Sequence, residues 1–115
     1  MTRKWAKLRY PQWFPQIAGH TTDSWEGKLI INGGLILTDN GGQLNRLNGE
    51  TIIYSSEDGW DKLVIPGGAQ KRSHHLSFLI GNDLVLSGGY NEDYSRRNDF
   101  VYLSIGIVLF YNLLF

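Results

Sequence analysis

Two adjacent histidines, His74 and His75, are the first residues whose types could do chemistry, because paired imidazoles make a start on a metal site. They head an apolar run, and on a strand adjacent side chains point to opposite faces, so the pair cannot close on one ion. The acidic pairs Glu57-Asp58 and Glu92-Asp93 could serve as acid and base. Each lies in a polar, turn-rich stretch and reads as a turn former with solvated charge. The chain has no cysteine, which excludes disulfides, thiolate metal sites and a cysteine nucleophile. No Ser-His-Asp set with a supporting motif occurs. The stretch "NGGLILTDNGG", Asn32 to Gly42, has glycine pairs but no G-x-G-x-x-G phosphate cradle. No catalytic residue, cofactor or metal is assigned, and an enzyme remains open only as part of something larger.

The bulk numbers narrow the classes further. The 115 residues make one domain at most, able to bury a modest core. Eleven basic and eleven acidic residues balance, so there is no field to attract nucleic acid or an anionic membrane. Lys71-Arg72 and Arg96-Arg97 are only pairs. The first fourteen residues, "MTRKWAKLRYPQWF", lack the apolar core of a signal peptide, and no Asn-x-Ser/Thr site occurs. Both observations point toward a cytoplasmic chain, or toward a piece that has lost its true start.

The elements must come from 14 glycines, four tryptophans and six tyrosines, a composition of short strands and tight turns. No stretch keeps a helical apolar pattern for three turns, so the expected class is all-β. The chain also repeats itself. At an offset of 55, Trp5 falls on Trp60, Lys7 on Lys62, Leu8 on Leu63, Pro11 on Pro66, His20 on His75, Leu29 on Leu84, and Gly33-Gly34 on Gly88-Gly89. An offset of 48 then sets "IYSS", Ile53 to Ser56, against "VYLS", Val101 to Ser104. The first unit therefore carries seven extra residues, which belong in a loop.

Each unit reads as four short antiparallel strands. In the first these are Thr21 to Trp25, Leu29 to Asn32, Thr51 to Ser55 and Asp61 to Ile65. In the second, Leu76 to Ile80 turns through Gly81 to Asp83 into Leu84 to Ser87, and Phe100 to Leu103 follows a polar loop. A strand around Trp5 is expected as a fourth strand standing before the first unit.

A histidine near a strand start, an apolar strand ending in Gly-Gly, a tyrosine strand and a tryptophan after it resemble the kelch repeat of β-propellers. His20, Gly33, Gly34, Tyr54 and Trp60 supply the set once; His75, Gly88, Gly89 and Tyr102 supply it again, and Arg72 matches the family's frequent arginine. The resemblance implies four-stranded antiparallel propeller blades in an incomplete ring of about two: unit 1 over about 5–63, unit 2 over about 60–104. It makes these residues, with Trp5, framework and not active site. After Ser104 the family pattern calls for Asp-Gly and then a tryptophan, but the chain reads "IGIVLFYNLLF".

A propeller closes with about four to eight blades, so the missing blades would come from a longer chain or from oligomerisation, a trimer giving six. The resemblance implies a scaffold module that binds a protein, or a carbohydrate, through blade loops. The candidates are the loop Leu35 to Glu50, with Asn45 and Arg46 near its tip, and the loop Tyr90 to Asn98, with Tyr90, Arg96 and Arg97. The alternative is a piece of a carbohydrate-active propeller enzyme, a sialate mutarotase or a sialidase-like protein. "SSEDGW", Ser55 to Trp60, resembles the sialidase Asp-box but lacks its spacing and occurs once. The copper-dependent sugar oxidases need a cysteine-linked tyrosine that this chain cannot make. A truncated product without a function of its own is the third reading.

Residues 105–115 form an apolar tail outside the repeat. The run Phe100 to Phe115 is 16 residues, short of the roughly 20 that span a bilayer. The tail is expected to pack on the sheet as a strand or to be the product of a misread frame, with a membrane anchor as the remaining alternative.

Overall fold

The computed structural model describes residues 4–37, 46–68 and 70–114. Among these residues ten strands and one helix follow in order: β1 (Ile17–Ala18), β2 (Thr21–Trp25), β3 (Lys28–Asn32), β4 (Leu35–Ile36), β5 (Arg46–Leu47), β6 (Thr51–Ser55), β7 (Gly59–Leu63), β8 (Leu76–Ile80), β9 (Asp83–Ser87), β10 (Phe100–Ser104) and α1 (Ile105–Leu114). The first sheet is an antiparallel meander, β2-β3-β6-β7, and the second is β8-β9-β10. A small side sheet, β1-β4-β5, is answered in the second repeat by single bridges from Ser73 to Tyr90 and from Tyr90 to Arg96. The mainly β architecture and all seven long strands follow the sequence reading to within two residues at their ends.

Local chemistry fixes the hairpins. Glu26 and Gly27, between β2 and β3, both have positive φ, +46° and +75°, the two-residue turn whose twist matches that of its strands. Gly81, at +60°, turns β8 into β9. Ser55 caps the β6–β7 turn by accepting the Asp58 N–H at 3.0 Å, so Asp58 shapes a turn as expected.

The two long sheets pack face to face. Ile30, Ile53 and Leu63 of the first meet Leu84 and Leu86 of the second, and Ile105 and Val108 of α1 complete the buried cluster. Strand alternation puts Leu79, Val101 and Leu103 on the same side of the second sheet, packed against that core. On the far face of the first sheet, Trp60 packs at a tilt against Tyr54 (4.6 Å between ring centres) and takes Phe14 edge-on (4.9 Å).

Three expectations are corrected. The tail is a helix, not a strand. Ile105, Val108, Leu109 and Asn112 make an i, i+3, i+4, i+7 stripe facing the sheets. Ile107, Phe110, Leu113 and Leu114 are apolar on the exposed side. With both sides apolar, the periodic contrast that announces a surface helix is missing. Among the described residues no helix is long and apolar enough to cross a membrane.

The strand expected around Trp5 does not form. No strand precedes Ile17 among the described residues, and Trp5 is fully exposed. This stretch lies instead beside Trp60, whose indole N–H donates to the Arg9 carbonyl at 2.7 Å.

The offset of 48 is one residue out of step with the sheets. Tyr54 pairs with Leu29, whereas Tyr102 pairs with Val85, the counterpart of Ile30. The ladder keeps an offset of 49: Asn48 N–H donates to Gly34 O and Arg97 N–H to Gly89 O, each at 2.8 Å. One step of register turns a side chain to the other face. Tyr54 is half-buried against Trp60, while Tyr102 is exposed on the opposite face.

Candidate partner-binding end

The glycine pairs fix the end of the sheets where the loops gather. Gly33 and Gly34 have φ of +72° and +97°, and Gly88 and Gly89 repeat this with +66° and +94°, a backbone closed to most other residues. A Cβ on Gly34 would lie 3.0 Å from His20 Cβ, and one on Gly89 would lie 2.9 Å from His75 Cβ. Glycine and histidine therefore pack together in both repeats.

His75 also reaches across to the first repeat. A Cβ on Gly33 would lie 2.5 Å from its Cε1, and its Nε2 is 2.8 Å from Thr21 Oγ1. That hydroxyl–imidazole pair has the look of a nucleophile and its base, and its 54-residue separation hid it from the sequence reading. The chemistry does not fit. Burial first, then the charge of Arg72 and the neighbouring histidines His20 and His74, lowers the His75 pKa to about 4. Its basicity is spent, and its buried Nδ1 has no partner to orient the ring. His74 and His75 lie ahead of β8, not on it. His74 takes a left-handed φ of +55° and its ring fits against Gly19 instead of joining His75.

Among the described residues Arg72 is the largest fully buried side chain. It forks onto Asp99 at 3.0 and 3.3 Å, and donates to Gly88 O (3.1 Å) and Gln70 Oε1 (2.9 Å). The Arg72 hydrogen bond, with Arg97 in support, holds the Asp99 carboxyl below its ordinary range. Arg97, a candidate contact residue, is tied down: it donates to Lys71 O at 3.1 Å and to Asp99 at 3.3 Å. Asp99 and Gln70 were not picked out from the sequence. The only signal was that a buried arginine needs a carboxylate.

The loop from Tyr90 to Asn98 is locked by its own hydrogen bonds. Asn91 N–H donates to Ser95 O, Tyr94 N–H to Asn91 O, and Asp93 accepts both the N–H (2.9 Å) and the hydroxyl (2.5 Å) of Ser95. These bonds depress the Asp93 pKa. They also hold Tyr94 at φ +64°.

Tyr90 meets the His74 ring edge-on at 6.1 Å. Together with Leu35, Ser73 and Tyr94 they line a cavity of about 140 Å³. Arg46, Asn48, Glu50, Lys71 and Glu92 line a second cleft of about 410 Å³. The structure thus brings Arg46, from the first repeat, to the same end as the Tyr90–Asn98 loop of the second. Arg96 is exposed there, and Asn45 lies outside the described residues. The set offers aromatic faces, charges of both signs and hydrogen-bonding groups, which suits recognition. Among the described residues no three His, Cys, Asp or Glu side chains stand close enough to hold a metal. No known protein-family model matches the chain.

Proposed function

We propose that the chain is a pair of kelch-type propeller blades acting as a protein-binding module, with its partner held at the end where the side loops of both repeats meet. The observation that carries this reading is that Arg46 and Glu92, of the Tyr90–Asn98 loop, line one cleft. Recognition sites commonly sit on loops fixed by a rigid sheet, and the internal bonding of this loop lowers the ordering cost of binding. The repeated glycine–histidine packing supports the kelch assignment.

The test is capture of partners from lysate by wild type and by a variant with Tyr90→Ser, Tyr94→Ser and Arg46→Glu. A specific partner lost in the variant, with the β-sheet circular dichroism unchanged, is the expected result; an identical capture profile counts against the proposal. The aromatic walls of the smaller cavity favour a second reading, a carbohydrate ligand. Binding on a glycan array that Tyr94→Ser abolishes would select it.

A further inference from the structure

The joint between the two sheets has parts that each repeat owns in duplicate. On the receiving side, Gly34 N–H donates to Arg72 O at 2.9 Å, Gly19 O accepts His74 N–H at 2.8 Å, and Gly33 makes room for the His75 ring. Below them Trp25, Ile30 and Ile53 receive the second sheet.

Shifted by the repeat, the same receiving side exists again in the second unit. Gly89 stands for Gly34, the His74 carbonyl for that of Gly19, and Gly88 for Gly33. A Cβ on Gly88 would meet only the Arg97 carbonyl, at 3.7 Å, so the place that the histidine ring fills in the first unit is open here. The face below is apolar and uncovered: Leu76, Phe78, Ile80, Phe100 and Tyr102 are 39–75% exposed, and register puts all five on one side. Patches of this kind mark interaction surfaces.

The inserting side is duplicated as well. The first unit has Ile17 where the second has Arg72, Gly19 where it has His74, and His20 where it has His75. His20 is exposed. Gln16 O already accepts Leu37 N–H at 2.8 Å, so ladder alternation turns the Ile17 carbonyl away from β4. Each molecule therefore carries a vacant receiver on its second repeat and, in His20 with exposed Thr22 and Ser24 of β2, an unused inserting edge on its first; Ile31 and Ile52, farther across that face, are already buried.

We propose that the chain associates with a second copy of itself head to tail, the first repeat of one copy seated on the β8-β9-β10 face of the next in the manner of the internal joint. The His20 ring lies over Gly88 of the neighbour, and Gly89 N–H donates to the neighbour's Ile17 carbonyl. Such a heterologous contact grows into a closed ring or a filament. It stands on packing and is independent of the loop-binding proposal.

The absence of cysteine makes the test clean. Inside the chain Ser77 Oγ donates to the Asp23 carboxylate, and the repeat equivalents across the proposed contact are Thr22 and Phe78. Thr22→Cys protein mixed with Phe78→Cys protein should form a disulfide-linked pair on mild oxidation, and neither should do so alone. An Asp23→Cys, Ser77→Cys double variant is the internal control.

Wild type should scatter light with a mass above that of the 13.1 kDa chain. His20→Asp, at an exposed position that need not disturb folding, should raise the dissociation constant at least about tenfold. Tyr94→Ser, which addresses only the loop, should leave association unchanged. A monodisperse monomer, or Phe78→Cys linking to itself in preference to Thr22→Cys, would overturn the proposal.

Discussion

Asn112 holds both backbone groups of Val64: the Val64 N–H donates to Oδ1 at 2.9 Å, and Nδ2 donates to the Val64 carbonyl at 3.0 Å. One side chain near the end of α1 thus plays the part of a neighbouring strand for the residue that follows β7. This anchors the helix over the seam between the sheets, where Ile105 and Val108 finish the core.

Asn112→Ala removes both bonds and is expected to lower stability by about 1–2 kcal/mol, since the site is half exposed and water can partly replace them. The denaturant midpoint measures the loss. Hydrogen exchange at Val64 N–H should accelerate more than at the central strands, because the helix end opens first.

Asp99→Ala leaves the Arg72 guanidinium buried without its carboxylate, and is expected to cost about 3 kcal/mol. Replacing both groups by apolar ones, Arg72→Met with Asp99→Leu, should recover at least half of that, because no charge is then stranded. Urea unfolding of the two variants decides the matter; a double variant less stable than the single one would refute this account.

Acid should weaken the fold before the carboxylates titrate. The His75 pKa falls from 6.5 to about 4 on folding, so between those values the unfolded chain binds more protons and stability declines as pH falls. The full difference corresponds to about 3 kcal/mol. Asp99 adds a loss in the same direction at lower pH, as its depressed carboxyl is finally protonated. His75→Gln should flatten the decline between pH 6.5 and pH 4.5, measured against its own stability at neutral pH.

Gly33→Ala and Gly88→Ala share a left-handed backbone, so both incur about 1 kcal/mol of strain. Only at Gly33 does the new methyl group run into the Arg72 carbonyl and the His75 ring. Gly33→Ala is expected to destabilise by at least about 2 kcal/mol more than Gly88→Ala, an overpacking cost read from thermal or urea midpoints.

The strands were legible because their signals are local: alternation, glycine turns and a repeat at constant offset. The 55-residue offset even set the glycine–histidine contacts, which recur as Gly34 with His20 and Gly89 with His75. The tyrosine register was not legible, since "IYSS" and "VYLS" align as letters at 48 while the backbone ladder runs at 49. The helix escaped because apolar Ile107 and Phe110 erase the contrast with buried Ile105 and Val108. At the candidate site Arg46 and Tyr90 were named, but nothing in the sequence showed that they share an end, which is a property of the sheet packing. Asp99 and the Thr21–His75 pair depend on partners 27 and 54 residues away, beyond the reach of any local pattern.

Core closure by Val108 also bears on biosynthesis. The first sheet is complete once Leu63 has been added, but its inner face of Ile30, Ile53 and Leu63 waits for residues up to 108 to cover it. Translation at about 5–20 residues per second leaves that face bare for seconds on the growing chain. The nascent protein thus has a built-in window of exposure, in which a holding chaperone has an apolar surface to grip and a neighbouring nascent chain has one to capture.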